Sequence, residues 1–483
     1  MATLNALGRR ITDAAMRPID VASLAVFRIG LGVILVWEVW RYFHFGWIRD
    51  FYVETHFNFT YPGFDWLRPW PGIGMYAHFL ALGAAGMLVA VGRHYRAAMA
   101  ALAVGLTYVL LLDQTAFLNH LYLVCLLCSL MVFVPADREW TWRRGEQLQV
   151  SPTVPAWCLW MIRFQIGIAY FYGGIVKLNP DWLQGQPLQI WMMQMTGLRE
   201  WFPVYGERWL AVVMSWSGLI IDLFVVPALL WKSTQKIALT IAVTFHLWNS
   251  TMFQIGIFPW FMIVATTLFL SPDWPRRFVR ALSKKTTSST SPAGVRTIPA
   301  LTVSASRGKL ALPCLAVWFA VQLIVPWRHL LYEGNVDWTE EGTRFAWRMM
   351  LHEKWSALRF TLVDPVTKKT RPFNPRALLT QKQLDKMSYE PELLRQFSRH
   401  IADLAAQDAL GRQEVHVEVW CSLNGRRPQL MIDPRIDLAA EPFRWRRQPW
   451  ILPLTESLPA KPWTPAEGLP GINLPSNDDG KKR

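Results

Sequence analysis

Five polar residues sit where a largely apolar chain tolerates them least. Asn119 and His120 open one apolar run, Lys177 closes another, and His246 and Asn249 end a third. Burying such groups at membrane depth is expensive, and structure alone rarely requires it. A lysine, two histidines and two amides supply acid–base chemistry and hydrogen-bonded orientation, the materials of a catalytic pocket. Each has a plainer alternative. Lys177 at a helix end can snorkel its ammonium to the interface, His120 can bridge helices in the core, and His246 with Asn249 can form a structural hydrogen bond at a broken helix. Their convergence favours chemistry, because three separate helices bring the five groups to one level. Arg28 and Arg163, near the opposite face, read as structural or headgroup-binding.

The positioning elements are apolar runs. Of 483 residues, 52% are hydrophobic and 18% charged, and nine runs of near-spanning length occur at about 21–44, 75–92, 97–112, 119–135, 155–177, 208–231, 237–250, 254–271 and 310–327. The expected fold is a multi-pass α-helical membrane protein of about nine spans, with a C-terminal soluble domain of α+β, β-rich character. The seventh run is short and ends in the polar string FHLWNSTMFQ, which reads as a helix stopping within the membrane or at its edge. A net charge of +15 would suggest nucleic acid in a soluble chain, but the basic residues collect between apolar runs. Arg9/Arg10/Arg17, Arg93/Arg96, Arg138/Arg143/Arg144, Lys232/Lys236 and the set Arg276 to Lys285 fall in every second connection, which should be cytoplasmic. An odd number of spans then carries the chain after about residue 328 to the opposite side, periplasmic or lumenal, and puts all five polar residues at that side. The start lacks the apolar core and cleavage site of a signal peptide. Cys125 and Cys128 have redox-motif spacing, yet they lie in the all-apolar string LYLVCLLCSLMVF and read as core packing. No phosphate loop or clustered metal-ligand set is evident.

The organisation expected is a transmembrane catalytic module over 1–280, a flexible cytoplasmic linker over 281–308, a last span over 309–328, a soluble domain over 329–455 and a disordered tail over 456–483. In the soluble part Val415, Val417 and Val419 alternate with polar neighbours, Asn424-Gly425 supplies a turn, and 429–432 can return as a partner strand. A second hairpin is expected over 357–363 with its turn opening at Asp364-Pro365. Between them Leu393, Leu394, Phe397, Ile401 and Leu404 share one helix face.

The segments RPIDVASLAVFRIGLG, LLDQTAFLNHLYL, YFYGGIVKLNPDW, FHLWNSTMFQIGIF with SPDWPRR, and EVWCSLNGRRPQLMIDPRIDL closely resemble the vitamin K-dependent γ-glutamyl carboxylases, over about 17–450. The resemblance implies reduced vitamin K as cofactor, O₂ and CO₂ as co-substrates, no metal, a peptide or protein glutamate as partner, and a bilayer. In that family a deprotonated naphthohydroquinone reacts with O₂ to give a base strong enough to remove a γ-proton from glutamate, and the carbanion captures CO₂. Matched motif to motif, Lys177 falls on the catalytic base and His120 on the histidine of the carboxylation step. His246 and Asn249 fall in a motif at the active centre, and with Asn119 are the cofactor-binding candidates. A lysine takes a hydroquinone's proton only in its neutral form, which an apolar, water-poor pocket favours. Animal members run considerably longer, which leaves a propeptide-holding surface in doubt. Two competitors stand beside the carboxylase: a quinone-dependent membrane oxidoreductase that forms epoxide without fixing CO₂, and a non-enzymatic transporter or scaffold.

Overall fold

The computed structural model describes residues 2–142, 153–283, 305–408 and 411–468. Within a bilayer a chain must satisfy its own backbone, and each of the nine apolar runs contains a helix. Helix α1 (Ala2–Met16) and strand β1 (Pro18–Asp20) lead into α2 (Ala22–His44), α3 (Gly74–Val91), α4 (Tyr95–Leu112) and α5 (Asn119–Met131). Strand β2 (Thr153–Pro155) pairs antiparallel with β1 and opens α6 (Ala156–Ile175). Short helices α7 (Pro180–Leu183), α8 (Leu188–Gln194) and α9 (Thr196–Trp201) precede α10 (Arg208–Leu230), α11 (Gln235–Met252), α12 (Phe258–Thr266), α13 (Trp274–Ser283) and α14 (Ala305–Ile324).

The chain is an integral membrane protein, but nine spans are not established. Among the described residues five segments are long and apolar enough to cross a membrane: 22–44, 74–91, 95–112, 208–230 and 313–331. Helix α5, with 13 residues, rises roughly 20 Å at about 1.5 Å per residue, against a hydrocarbon core of about 30 Å. The helix of the seventh run ends inside its polar string, two residues beyond the expected end of the run. Helix α11 continues unbroken through His246 and Asn249 to Met252, and the chain leaves helical geometry only at Phe253. Its polar side chains can turn inward without disturbing a backbone that satisfies itself.

Close approach of backbones organises the bundle. A Cβ on Gly32 of α2 would lie 2.6 Å from Gly86 O and from Ala90 N of α3, so only glycine permits this crossing. Cys125 and Cys128 are buried in the same core. Arg28 is fully buried and donates to the carbonyls of Val89, Ala90, Ala136, Glu139 and Trp140, which satisfies the C-terminal end of α3. Arg163 donates to Leu268 O and Leu270 O, both at 2.8 Å. Both arginines are structural.

The soluble domain adds α15 (Val336–Thr339), β3 (Lys354–Val363), β4 (Thr370–Phe373), α16 (Gln381–Met387), α17 (Pro391–Gln407), β5 (Glu414–Leu423) and β6 (Gln429–Leu430). Its antiparallel sheet runs β4-β3-β5-β6. The alternation in β5 buries Val415, Val417, Val419 and Cys421 against Leu393, Leu394, Phe397 and Ile401 of α17. Asn424 and Gly425 adopt φ of 52° and 75°, the positive values that a tight hairpin turn demands.

Two expected boundaries shift. Phe59, in the connection after α2, is fully buried in the soluble core, and Phe57 packs edge-on to it and to Phe397 at 4.9 and 5.9 Å. Gln383 Nε2 donates to Phe57 O and to Asp113 Oδ2, both at 2.8 Å, so the two domains share one packing unit. The tail is ordered over 456–468: Trp463 N donates to Gly425 O at 2.7 Å, and Arg426 Nε donates to Glu456 O at 3.0 Å. The rest of that tail, 469–483, and linker residues 284–304 lie outside the described residues.

Candidate active site

A cavity of about 1000 Å³ lies where the helices meet the soluble domain, and its wall includes Asn119, His120, Lys177, His246 and Asn249 together. Most of the lining is apolar. The cavity reaches the outer surface between α10 and α11, since Ser217, Thr240, Ile241, Thr244 and Trp248 both line it and are exposed. Ser217 and Thr240 turn their hydroxyls onto the carbonyls of Val213 and Lys236, which satisfies them without water.

Lys177 follows the last turn of α6 and folds back inward. It is 8% exposed, its Nζ donates to Gly173 O at 3.0 Å and to the Asp222 carboxylate, and it lies 5.2 Å from the centre of the Trp182 ring. Snorkelling does not describe this geometry. The pairing depends on glycine: a Cβ on Gly174 would come within 2.6 Å of Leu223 Cδ2 and 3.1 Å of Leu223 N, so its absence lets α10 approach α6. Asp222 was not among the sequence candidates. Its signal is nonetheless present, a lone carboxylate in the apolar string GLIIDLFVVP.

The histidines flank a common ring. His120 and His246 lie 5.8 and 6.2 Å from Phe258, ring centre to ring centre. His246 is buried, its Nε2 lies 2.6 Å from the Tyr170 hydroxyl, and its Nδ1 has no hydrogen-bond partner among the described residues. Asn249 stands one helical turn further on. Asn119 Nδ2 donates to Arg348 O at 3.0 Å, while its Oδ1 is buried without a partner among the described residues. Buried polar atoms are normally satisfied, so two such orphans on residues of one cavity wall stand out. Glu38 and Arg41, paired at 2.5 Å, add a charged corner that the sequence reading also missed.

The soluble domain closes the cavity with charges and aromatics. Arg348 pairs with Asp337 at 2.7 Å, Arg344 with Glu390, Lys386 with Glu390 at 2.9 Å, and His352 Nε2 with Glu340 at 3.1 Å. Burial alone would raise the Asp337 carboxyl, but His352 and Arg348 hold it down at about 2. Arg344 and Lys386 likewise hold Glu390 below the usual range against its burial. Phe345, Trp347 and Met350 adopt φ of 61°, 57° and 56°. Such left-handed backbone costs roughly 1–3 kcal/mol per residue. Burial of Trp347, 1% exposed and 5.0 Å from the Tyr122 ring, helps to offset it.

The HTTM domain family model matches residues 16–274, more than half of the chain. The model of the vitamin K-dependent gamma-carboxylase lumenal domain matches residues 307–457. No solved structure matches the chain. The two family matches fall on the two walls of the cavity, one supplying the helices and the other the charged roof. Together they show that the chain belongs to the vitamin K-dependent gamma-carboxylase family.

Proposed function

We propose that this chain carboxylates the γ-carbon of peptide glutamate and couples that step to epoxidation of reduced vitamin K by O₂. The observation that carries the proposal is one cavity that combines an apolar, laterally open wall of helices with a charged wall from the soluble domain. The residues present fit the cofactor. A naphthohydroquinone is flat and apolar with two hydroxyls; the cavity lining is mostly apolar, and Asn119 Oδ1 and His246 Nδ1, on residues of its wall, are buried polar atoms with no partner among the described residues. When bound, reduced vitamin K supplies the reducing equivalents and, with O₂, the strong base. Lys177 Nζ takes a hydroxyl proton at the start, and the surrounding apolar wall keeps solvent protons from quenching the chemistry. His120, with no side-chain hydrogen bond among the described residues, remains available to the glutamate step. The opening between α10 and α11 admits an isoprenoid tail from lipid, while the peptide approaches from the aqueous side.

The soluble-domain wall, where Arg344, Arg348 and Lys386 are ion-paired with Glu390 and Asp337, is polar and charge-balanced, and favours this reading over a quinone oxidoreductase without a second substrate. A carboxylate-bearing peptide gives such a wall a purpose. The test is reconstitution in nanodiscs with reduced vitamin K, labelled bicarbonate and a glutamate-containing peptide. Carboxylated peptide and epoxide together are expected. Epoxide alone would support the oxidoreductase, and neither product the scaffold.

A further inference from the structure

We infer that Asp222 and Lys177 form an acid–base dyad in which the carboxylate stores the proton that the amine must release before it can act as a base. The inference rests on the proposed role of Lys177 and assigns its partner. Both side chains are buried, at 10% and 9% exposure, and they are joined directly by a hydrogen bond. Among the described residues Asp222 makes no other side-chain hydrogen bond, so the carboxylate is committed to this amine. Gly174 permits the helix crossing that brings the two together.

A lone ammonium in a water-poor cavity would have to send its proton to bulk water before accepting another. A paired carboxylate removes that requirement. Within the dyad, the pair of Lys177 ammonium and Asp222 carboxylate becomes Lys177 amine and Asp222 carboxylic acid by moving one proton across one hydrogen bond. No net charge changes, and the exchange replaces two ions by two neutral groups, a move that low dielectric favours. The amine then accepts a proton from a bound hydroxyl and returns to ammonium. The dyad gains one proton in total and its charge becomes +1, beside an anion of charge −1. Other titratable groups on the surrounding elements include Asp181 on α7, held by Arg426, Tyr170 on α6, His246 on α11, and Arg348 and His352 from the soluble domain. Tyr170 and His246 engage each other, while Arg348 and His352 engage Asp337 and Glu340.

The test compares wild type with Asp222→Asn, which is nearly isosteric, and with Asp222→Glu, which keeps a carboxylate. The first readout needs no cofactor: pulse acylation of Lys177 in detergent-solubilised protein, quantified by mass spectrometry from pH 5 to 10. If the proton is held inside the dyad, the amine fraction in wild type stays flat through neutral pH. In Asp222→Asn it should fall about tenfold per pH unit below the lysine's own titration. The second readout is the epoxidation profile, whose acid limb should move to higher pH in Asp222→Asn, with yield recovering in alkali, and should stay near wild type in Asp222→Glu. A merely structural Asp222 predicts the same labelling slope in all three proteins and a uniform change in activity, and that result overturns the dyad. Should Asp222→Asn not fold, the labelling slope of wild type decides alone, since a tenfold fall per unit there also overturns it. Lys177→Ala separates the two layers: wild-type epoxide from that variant defeats the general-base reading itself, whereas an inactive Lys177→Ala with an unshifted Asp222→Asn defeats only the dyad.

Discussion

The Arg426 guanidinium, in the hairpin turn of the soluble domain, closes on the Asp181 carboxylate at the membrane side through hydrogen bonds of 2.6 and 2.7 Å. Asn424 adds a third at 2.8 Å, and all these groups are buried. The clamp stands four residues beyond Lys177, so it ties the soluble domain to the loop that carries the candidate base. Arg426→Ala leaves a buried carboxylate uncompensated and should cost about 3–5 kcal/mol. Thermal melting in detergent measures the loss, and Asp181→Ala in the same chain should recover part of it. Additive losses in the double variant would mean that the pair is not coupled.

Lys177→Ala should leave a folded protein that forms neither epoxide nor γ-carboxyglutamate. Lys177→Arg should be equally inactive, because a guanidinium stays protonated and accepts nothing. Epoxide yield, normalised to monodisperse protein, is the measurement. Near wild-type yield from the arginine variant would remove the general base from the proposal.

His120→Ala should lower peptide carboxylation at least tenfold more than epoxide formation, as expected of a residue serving the glutamate step. Measuring both products in one reaction gives the ratio directly. Equal loss of the two would instead make His120 part of the cofactor pocket, alongside its neighbour Phe258.

Burial pushes the Glu341 carboxyl in the soluble domain up to about 7 from an ordinary value of 4.5. Between those values the folded state keeps a proton that the unfolded state has released, so this residue's contribution to stability falls as pH rises from 4.5 to 7 and is flat above. Glu341→Gln should remove that slope. Melting temperatures of the variant and wild type, compared from pH 5 to 8, should diverge toward the alkaline end, with the variant the more stable. A constant difference would show that Glu341 does not titrate in that window.

Reporter fusions at Lys284 and near Gly425 should report opposite sides of the membrane, the first cytoplasmic. The basis is the alternation of basic connections and the odd number of runs between the N-terminus and the soluble domain. A cytoplasmic report from both would overturn the span count.

Elements that depend on local pattern were legible in the sequence. The apolar runs mark the helices, the Val415–Val417–Val419 alternation marks β5, and Asn424-Gly425 marks its turn. The five candidate residues also meet at one cavity, because helix ends at one level are constrained by membrane thickness. What escaped depends on contacts between distant segments. Asp222 is 45 residues from Lys177, and their meeting requires a helix crossing that no local window contains. Likewise the polar string around His246 marks the end of α11 at Met252, but the pairing of His246 with Tyr170, 76 residues away, is in no local window.

The insertion of Phe57 and Phe59 into the soluble core bears on how the protein is made. A ribosome delivers these phenylalanines long before Phe397 and strand β5 exist to cover them, so a nascent chain holds an uncovered apolar loop until the last part of synthesis. Completion of the chain, rather than insertion of the helices, is therefore the event that buries it. A chain truncated within the soluble domain would keep its spans and still display that loop, a mark by which protein quality control can recognise an unfinished copy and remove it.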